Sequence, residues 1–207
     1  MPFYRILDAF ELINSKAVIM TQIQDTHPWD EKDRKYLADN LIRSRDELIA
    51  EAKGLTEAQW RFKESFNRWS INQVVEHIAI YELMFQRQMT QTLASGPQPE
   101  LKKLAKPDSM YLNYVLEPTS RLADDFTKPF TYADPIGLND GKNNLTWFLK
   151  MRNESIDYVK STSDDLRAYY LQVDRPNVHQ LYIWTFGHVD RSLRQIRKIK
   201  QSIQYPK

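Results

Sequence analysis

The stretch WSINQVVEHIAIYELMF, residues 69–85, decides the fold. Ser70 and Gln73 stand in the S-x-x-Q arrangement of a capping box, in which each side chain takes up a backbone N–H that a helix start leaves without a partner. Beyond it Val74, Ile78, Tyr81 and Phe85 recur every three or four residues and share one core-facing side of an α-helix. His77 lies three residues after Val74 and four before Tyr81, so its imidazole points to the same side. The helix runs to about Ala94 and stops at Gly96-Pro97, where proline forbids continuation.

Working outward toward the N-terminus, Asp30 reads as an N-cap followed by acidic residues in a first turn. A helix from about Glu31 to Lys53 follows, with Leu37, Leu41, Ser44 and Leu48 as its inner stripe and Gly54 closing it. Thr56 to Gln59 repeats the capping box for one short turn. Residues 24–30 are a break, because Pro28 interrupts helical continuity. Before it, Phe3, Ile6, Leu7, Phe10, Ile13 and Ala17 fall at helical spacing, which predicts an extra amphipathic N-terminal helix; translation starting at Met20 is the alternative. The expected organisation is an N-terminal extension over residues 1–29 and a bundle domain over 30–207.

Toward the C-terminus, residues 96–142 hold six of the ten prolines and three of the five glycines and read as a long crossover with a short helix near Ser109–Leu116. The third long helix covers about Asn143–Ser161, with Leu145, Phe148, Leu149, Arg152, Ile156 and Val159 on one stripe. Arg152 puts a guanidinium where a leucine would be expected. The last helix covers about Asn177–Ile203, with Leu181, Trp184, His188, Ser192, Gln195, Ile196, Ile199 and Ile203 facing inward. Four long amphipathic helices predict an all-α four-helix bundle.

Composition narrows the chemistry. Twenty-nine basic residues against 27 acidic ones leave +2, which argues against nucleic-acid binding. The basic end of the last helix, from Arg191 to Lys200, reads as the complement of a helix dipole. No run approaches a secretory h-region or a membrane span, so the expectation is a cytoplasmic protein with no membrane contact. The absence of cysteine excludes disulfides, thiolate metal sites and a cysteine nucleophile. Of the four histidines, His77 and His188 lie on inward stripes of two helices, and facing bundle positions are where metal centres are built. The plain alternative is two unrelated imidazoles with local hydrogen bonds. His27 falls in the N-terminal break and His179 near a helix start. Tyr81 and Glu82 are the nearest residues that could complete a ligand set or touch a substrate. Arg152 could hold a substrate anion bidentately; the alternatives are a buried pair with Glu76 or Glu82, or a stem snorkelling outward.

The segments Trp69-Ser70-Ile71, Val74 to Ile78 and Glu82 resemble the second-helix motif of the DinB-like (DinB/YfiT) superfamily. Gly54 to Trp60 with Phe62-Lys63, Phe148 to Arg152 with Asp165 to Arg167, His179 to Leu181, and Gly187 to Ser192 with Gln195-Ile196 resemble its other segments, in order over about residues 30–203. The resemblance implies an up-down-down-up bundle, often dimeric. It also implies a divalent metal such as zinc or nickel on three histidines, one at the position of His77 and two at those of His188 and Ser192. Superfamily members include S-transferases and isomerases that use low-molecular-weight thiols. Here the third position is Ser192, a weak ligand for zinc or nickel, so metal binding is expected to be weakened or lost. Two readings follow. One is a metal-dependent enzyme, a thiol S-transferase or hydrolase type, with a thiol as cosubstrate and an unidentified small-molecule ligand. The other is a metal-free ligand-binding or dimerisation protein of the same fold.

Overall fold

The computed structural model describes residues 27–116, 134–137, 139–171 and 176–207. The helix expected over residues 1–20 lies outside them. The described elements are α1 (Glu31–Ala52), α2 (Glu57–Arg61), α3 (Ile71–Ala94), a 3-10 turn (Pro99–Leu104), α4 (Asp108–Leu116), α5 (Gly141–Ser161) and α6 (Val178–Lys200).

The helix starts follow from side chains that satisfy orphan backbone donors. Asp30 accepts from the N–H groups of Lys32 and Asp33. Thr56 with Gln59 and Ser70 with Gln73 form complete capping boxes, and Asn177 with Gln180 adds a third at the start of α6. Gly54 follows the end of α1 with φ +72°, a left-handed conformation that any Cβ would strain.

Cross-helix hydrogen bonds give the topology. On α1 and α6, Glu51 near one C-terminus takes Lys200 near the other, so these helices are parallel. Asn144 at the start of α5 donates to Asn72 at the start of α3, so these two are parallel as well. Arg34 in the first turn of α1 donates to the carbonyls of Val159 and Thr162 at the end of α5, which makes α1 and α5 antiparallel. The order is therefore up-down-down-up. Each of α1 and α3 packs on both α5 and α6, and α4 lies along the outer side of α6. Among the described residues there is no strand, and no helix is long and apolar enough to cross a membrane.

The apolar stripes meet in two clusters. One gathers Leu37, Leu41, Phe85, Ile156 and Phe186; the other gathers Leu48, Trp60, Val74, Ile78, Phe148 and Ile196. Ile203 does not join them, because α6 ends at Lys200 and leaves it fully exposed.

Gly141, the first residue of α5, has a packing role. A Cβ there would stand 2.2 Å from a ring carbon of Trp60, which is only 3% exposed and cannot swing away. We expect Gly141→Ala to cost about 1–3 kcal/mol through overpacking, despite alanine's better helix propensity. A urea midpoint unchanged or raised by the substitution would contradict this.

Candidate functional site

His77 on the second turn of α3 and His188 in the middle of α6 face each other across the antiparallel pair. Their Nε2 atoms are 3.2 Å apart. Two nitrogens bound to one tetrahedral ion at 2.0–2.1 Å would lie roughly 3.3 Å apart, so the pair fits a shared metal. The same distance also fits a single N–H···N hydrogen bond between neutral imidazoles.

Aromatic rings hold the pair. Tyr81 stacks on His188 with centroids 4.3 Å apart and meets His77 edge-on at 4.6 Å. Trp69 lies 4.8 Å from His77, and Phe85 lies 6.4 Å from His188. The helical spacing of 77, 81 and 85 places these side chains in one column along α3. The His188 imidazole is held well below its ordinary pKa, first because it is enclosed and desolvated, then through repulsion by His77, Arg191 and Arg152. It is therefore neutral and ligand-competent at pH 7.

The remaining residues named from sequence take different positions. Ser192, one turn beyond His188, donates its hydroxyl to the His188 carbonyl at 2.9 Å, so its proton is used within its own helix. Glu82 and Arg152 face each other. Arg152 Nε and Nη2 each donate to one Glu82 oxygen at 2.7 Å, and Nη1 donates to Ser44 Oγ at 2.7 Å. Longer contacts reach the carbonyls of Leu41 and Thr185. Arg152 thus touches all four main helices, and of the readings open for it the structure contains the buried ion pair. Glu76 accepts from the backbone N–H groups of Ile136 and Gly137. Asp190 is engaged by Arg43.

A second polar cluster, at the opposite end of the bundle, was not anticipated. Arg167 donates through Nε and Nη2 to both oxygens of Asp33 and also bonds Asp108. His179, fully buried, places Nε2 3.2 Å from Asp108 Oδ2, while its Nδ1 is 3.1 Å from Trp29 Nε1. Indole N–H can only donate, so Nδ1 accepts and the imidazole proton sits on Nε2, toward Asp108. Burial alone would raise both carboxyls. At Asp33 the Arg167 hydrogen bonds and the charges of His179, Arg167 and His27 together outweigh it, and at Asp108 the hydrogen bonds and charges of His179 and Arg167 do so, which holds both below the usual carboxylate range. The available signal was Asp33 itself, four residues before Leu37 on the inner stripe of α1. A further grouping of His27, Asp30 and Asp33 offers ligand atoms within 4.8 Å of one another. However, Asp30 caps α1 and Asp33 is held by Arg167.

The basic residues late in α6 also have partners. Arg197 pairs with Glu47 and Glu51, and Lys200 pairs with Glu51.

No curated protein and no solved structure matches the chain. The family model of the DinB superfamily matches residues 40–196, a span that holds the histidine pair, the Arg152–Glu82 pair and most of the four main helices. With that match and an up-down-down-up bundle, the chain belongs to the DinB superfamily.

Proposed function

We propose that the His77–His188 pair is the functional centre and that it holds a divalent metal, zinc or nickel, for a transferase or hydrolase-type reaction. The observation that carries this reading is the 3.2 Å separation of two facing Nε2 atoms on different helices. In this reading His77 and His188 supply the protein ligands. Tyr81 fixes the plane of His188 by stacking, and Trp69 and Phe85 flank the pair. A divalent ion bound there lowers the pKa of a coordinated water or thiol. The chain has no cysteine, so a reacting thiol arrives as a cosubstrate. The reading takes the protein to be a cytoplasmic homodimer acting on a small molecule.

Metal analysis tests it. Untagged protein supplemented with zinc or nickel is expected to keep close to one ion per chain through desalting. Substoichiometric zinc, nickel, manganese and iron would overturn the reading. A second reading, a metal-free binding or dimerisation protein, is favoured by the Ser192 hydroxyl being turned to its own helix. Ser192→His separates the two: a tight site that the parent lacks supports the second reading, and equal affinity in both proteins rejects it.

A further inference from the structure

At the far end of the bundle from the histidine pair, the fully buried His179 spends each ring nitrogen on a different neighbour. Its Nε2–H faces Asp108, and its Nδ1 accepts the indole N–H of Trp29. Nδ1 is thus the one atom of this ring that can take a further proton, and Trp29 covers it. A proton there would set N–H against N–H at 3.1 Å, so the imidazolium and the docked indole exclude each other.

The charges facing the ring favour that proton. Asp33 Oδ1 on α1 lies 4.0 Å from Nε2, Asp108 Oδ2 on α4 lies 3.2 Å from it, and Arg167 Nη2 on the link after α5 lies 3.1 Å from it. Two carboxylates against one guanidinium leave one negative charge, which a charged His179 cancels. The phenols of Tyr36, stacked on the ring with centroids 6.3 Å apart, and of Tyr170 are raised by desolvation and stay uncharged. Lys102 and Asp165, beside Trp29, offset each other. On the stretch leading into α1, His27 pairs with Asp33 at 3.1 Å, and its own protonation tightens that contact.

We propose that His179 and Trp29 form a proton-operated latch: a proton on Nδ1 expels the indole and frees the stretch that leads into α1, residues 27–30, from the end of the bundle. The released form binds one proton more than the latched form, so its share rises as pH falls. Histidine is the side chain whose ordinary charge change falls between about pH 5 and 8, so mild acid is enough to work such a latch. The helix behind it stays capped, because Asp30 takes the N–H groups of Lys32 and Asp33 within α1 itself. What acid has to undo is small: the indole hydrogen bond, the backbone N–H of Trp29 on Asp165, and the Arg34 guanidinium 4.5 Å over the indole ring. The latch stands apart from the histidine pair and from whatever that pair holds.

The test follows exchange of the tryptophan indole protons of the full chain by NMR, corrected for the intrinsic effect of pH, at about pH 7.5 and about pH 5.5. Protection of the Trp29 indole is expected to fall by about tenfold or more between them, the size of one hydrogen bond lost. Trp60, buried in the other core cluster, is expected to stay within about twofold. His179→Asn keeps an acceptor near the place of Nδ1 and cannot be protonated, so its Trp29 protection is expected to be the same at both pH values. His27→Gln is expected to keep the parent's fall. Equal protection of Trp29 at both pH values in the parent, an equal fall at Trp60, a fall that survives in His179→Asn, or one that vanishes in His27→Gln would each overturn the latch. The parent also reports directly through the nitrogen shifts of His179: Nδ1 is expected to pass from unprotonated to protonated over the same range, and an Nδ1 that stays unprotonated overturns the latch even where a variant does not fold.

Discussion

Replacing Arg152 with methionine is expected to destabilise the protein by about 3–5 kcal/mol, because it strands a carboxylate that has almost no access to water. The Glu82 side chain is 2% exposed, and both its oxygens are taken by the one guanidinium. Ser44 loses its strongest contact too, and Phe148 loses the cation that lies 5.0 Å from its ring centre. Thermal unfolding should register the loss as a fall of roughly 6–20 °C for a chain of this size. The double variant Arg152→Met/Glu82→Leu is expected to recover most of it, since an apolar pair of similar volume has no charge to desolvate. A single variant within about 1 kcal/mol of the parent would show that water or rearrangement relieves Glu82.

Arg167→Met is expected to act with comparable size and with a distinctive pH dependence. Arg167 is the guanidinium shared by Asp33 and Asp108, so removing it leaves two neighbouring carboxylates facing each other beneath Trp29. In the parent both carboxyls have folded-state pKa values below their unfolded ones. Their contribution is fully present above the unfolded value of about 3.9 and is lost as pH falls through the lower folded values. In the variant, burial and mutual repulsion raise these values, so the folded state takes up protons readily on acidification. The destabilisation is therefore expected to be about 3–5 kcal/mol near neutrality and to shrink toward pH 3. Urea unfolding of both proteins from pH 3 to 7 measures it, and a difference that stays constant across that range would refute the assignment.

These two charged nodes show where the sequence was readable and where it was not. Helix starts were legible because capping is local: Asp30, Thr56 and Ser70 do in the structure what their spacing implied. The stripes were legible for the same reason, since Leu37, Leu41, Ser44 and Leu48 are all buried one turn apart. The inward direction of His77 and His188 followed from periodicity, and their meeting at one depth agrees with the order of the family motifs. Arg152 was visibly out of place on an apolar stripe, but its partner was ambiguous. Glu76 and Glu82 lie on different sides of one helix, and only the packing of α5 against α3 selects between them. The Asp33–Asp108–Arg167–His179 cluster was not legible. It joins a first helical turn, the start of α4, the link after α5 and the start of α6, and no one-dimensional period relates such positions. His179 falls near a helix start, where spacing along α6 gives it no partner. Its role is fixed instead by Trp29, 150 residues earlier.

Glu76 and Asn72 take the backbone of the returning crossover at residues 136–139, beside His77, and Arg194 takes the carbonyl of Leu116 where α4 ends. Both banks of the crossover are thus moored to the bundle independently of what spans them. The surroundings of His77 are therefore set on this side by Glu76 and Asn72 of α3 itself.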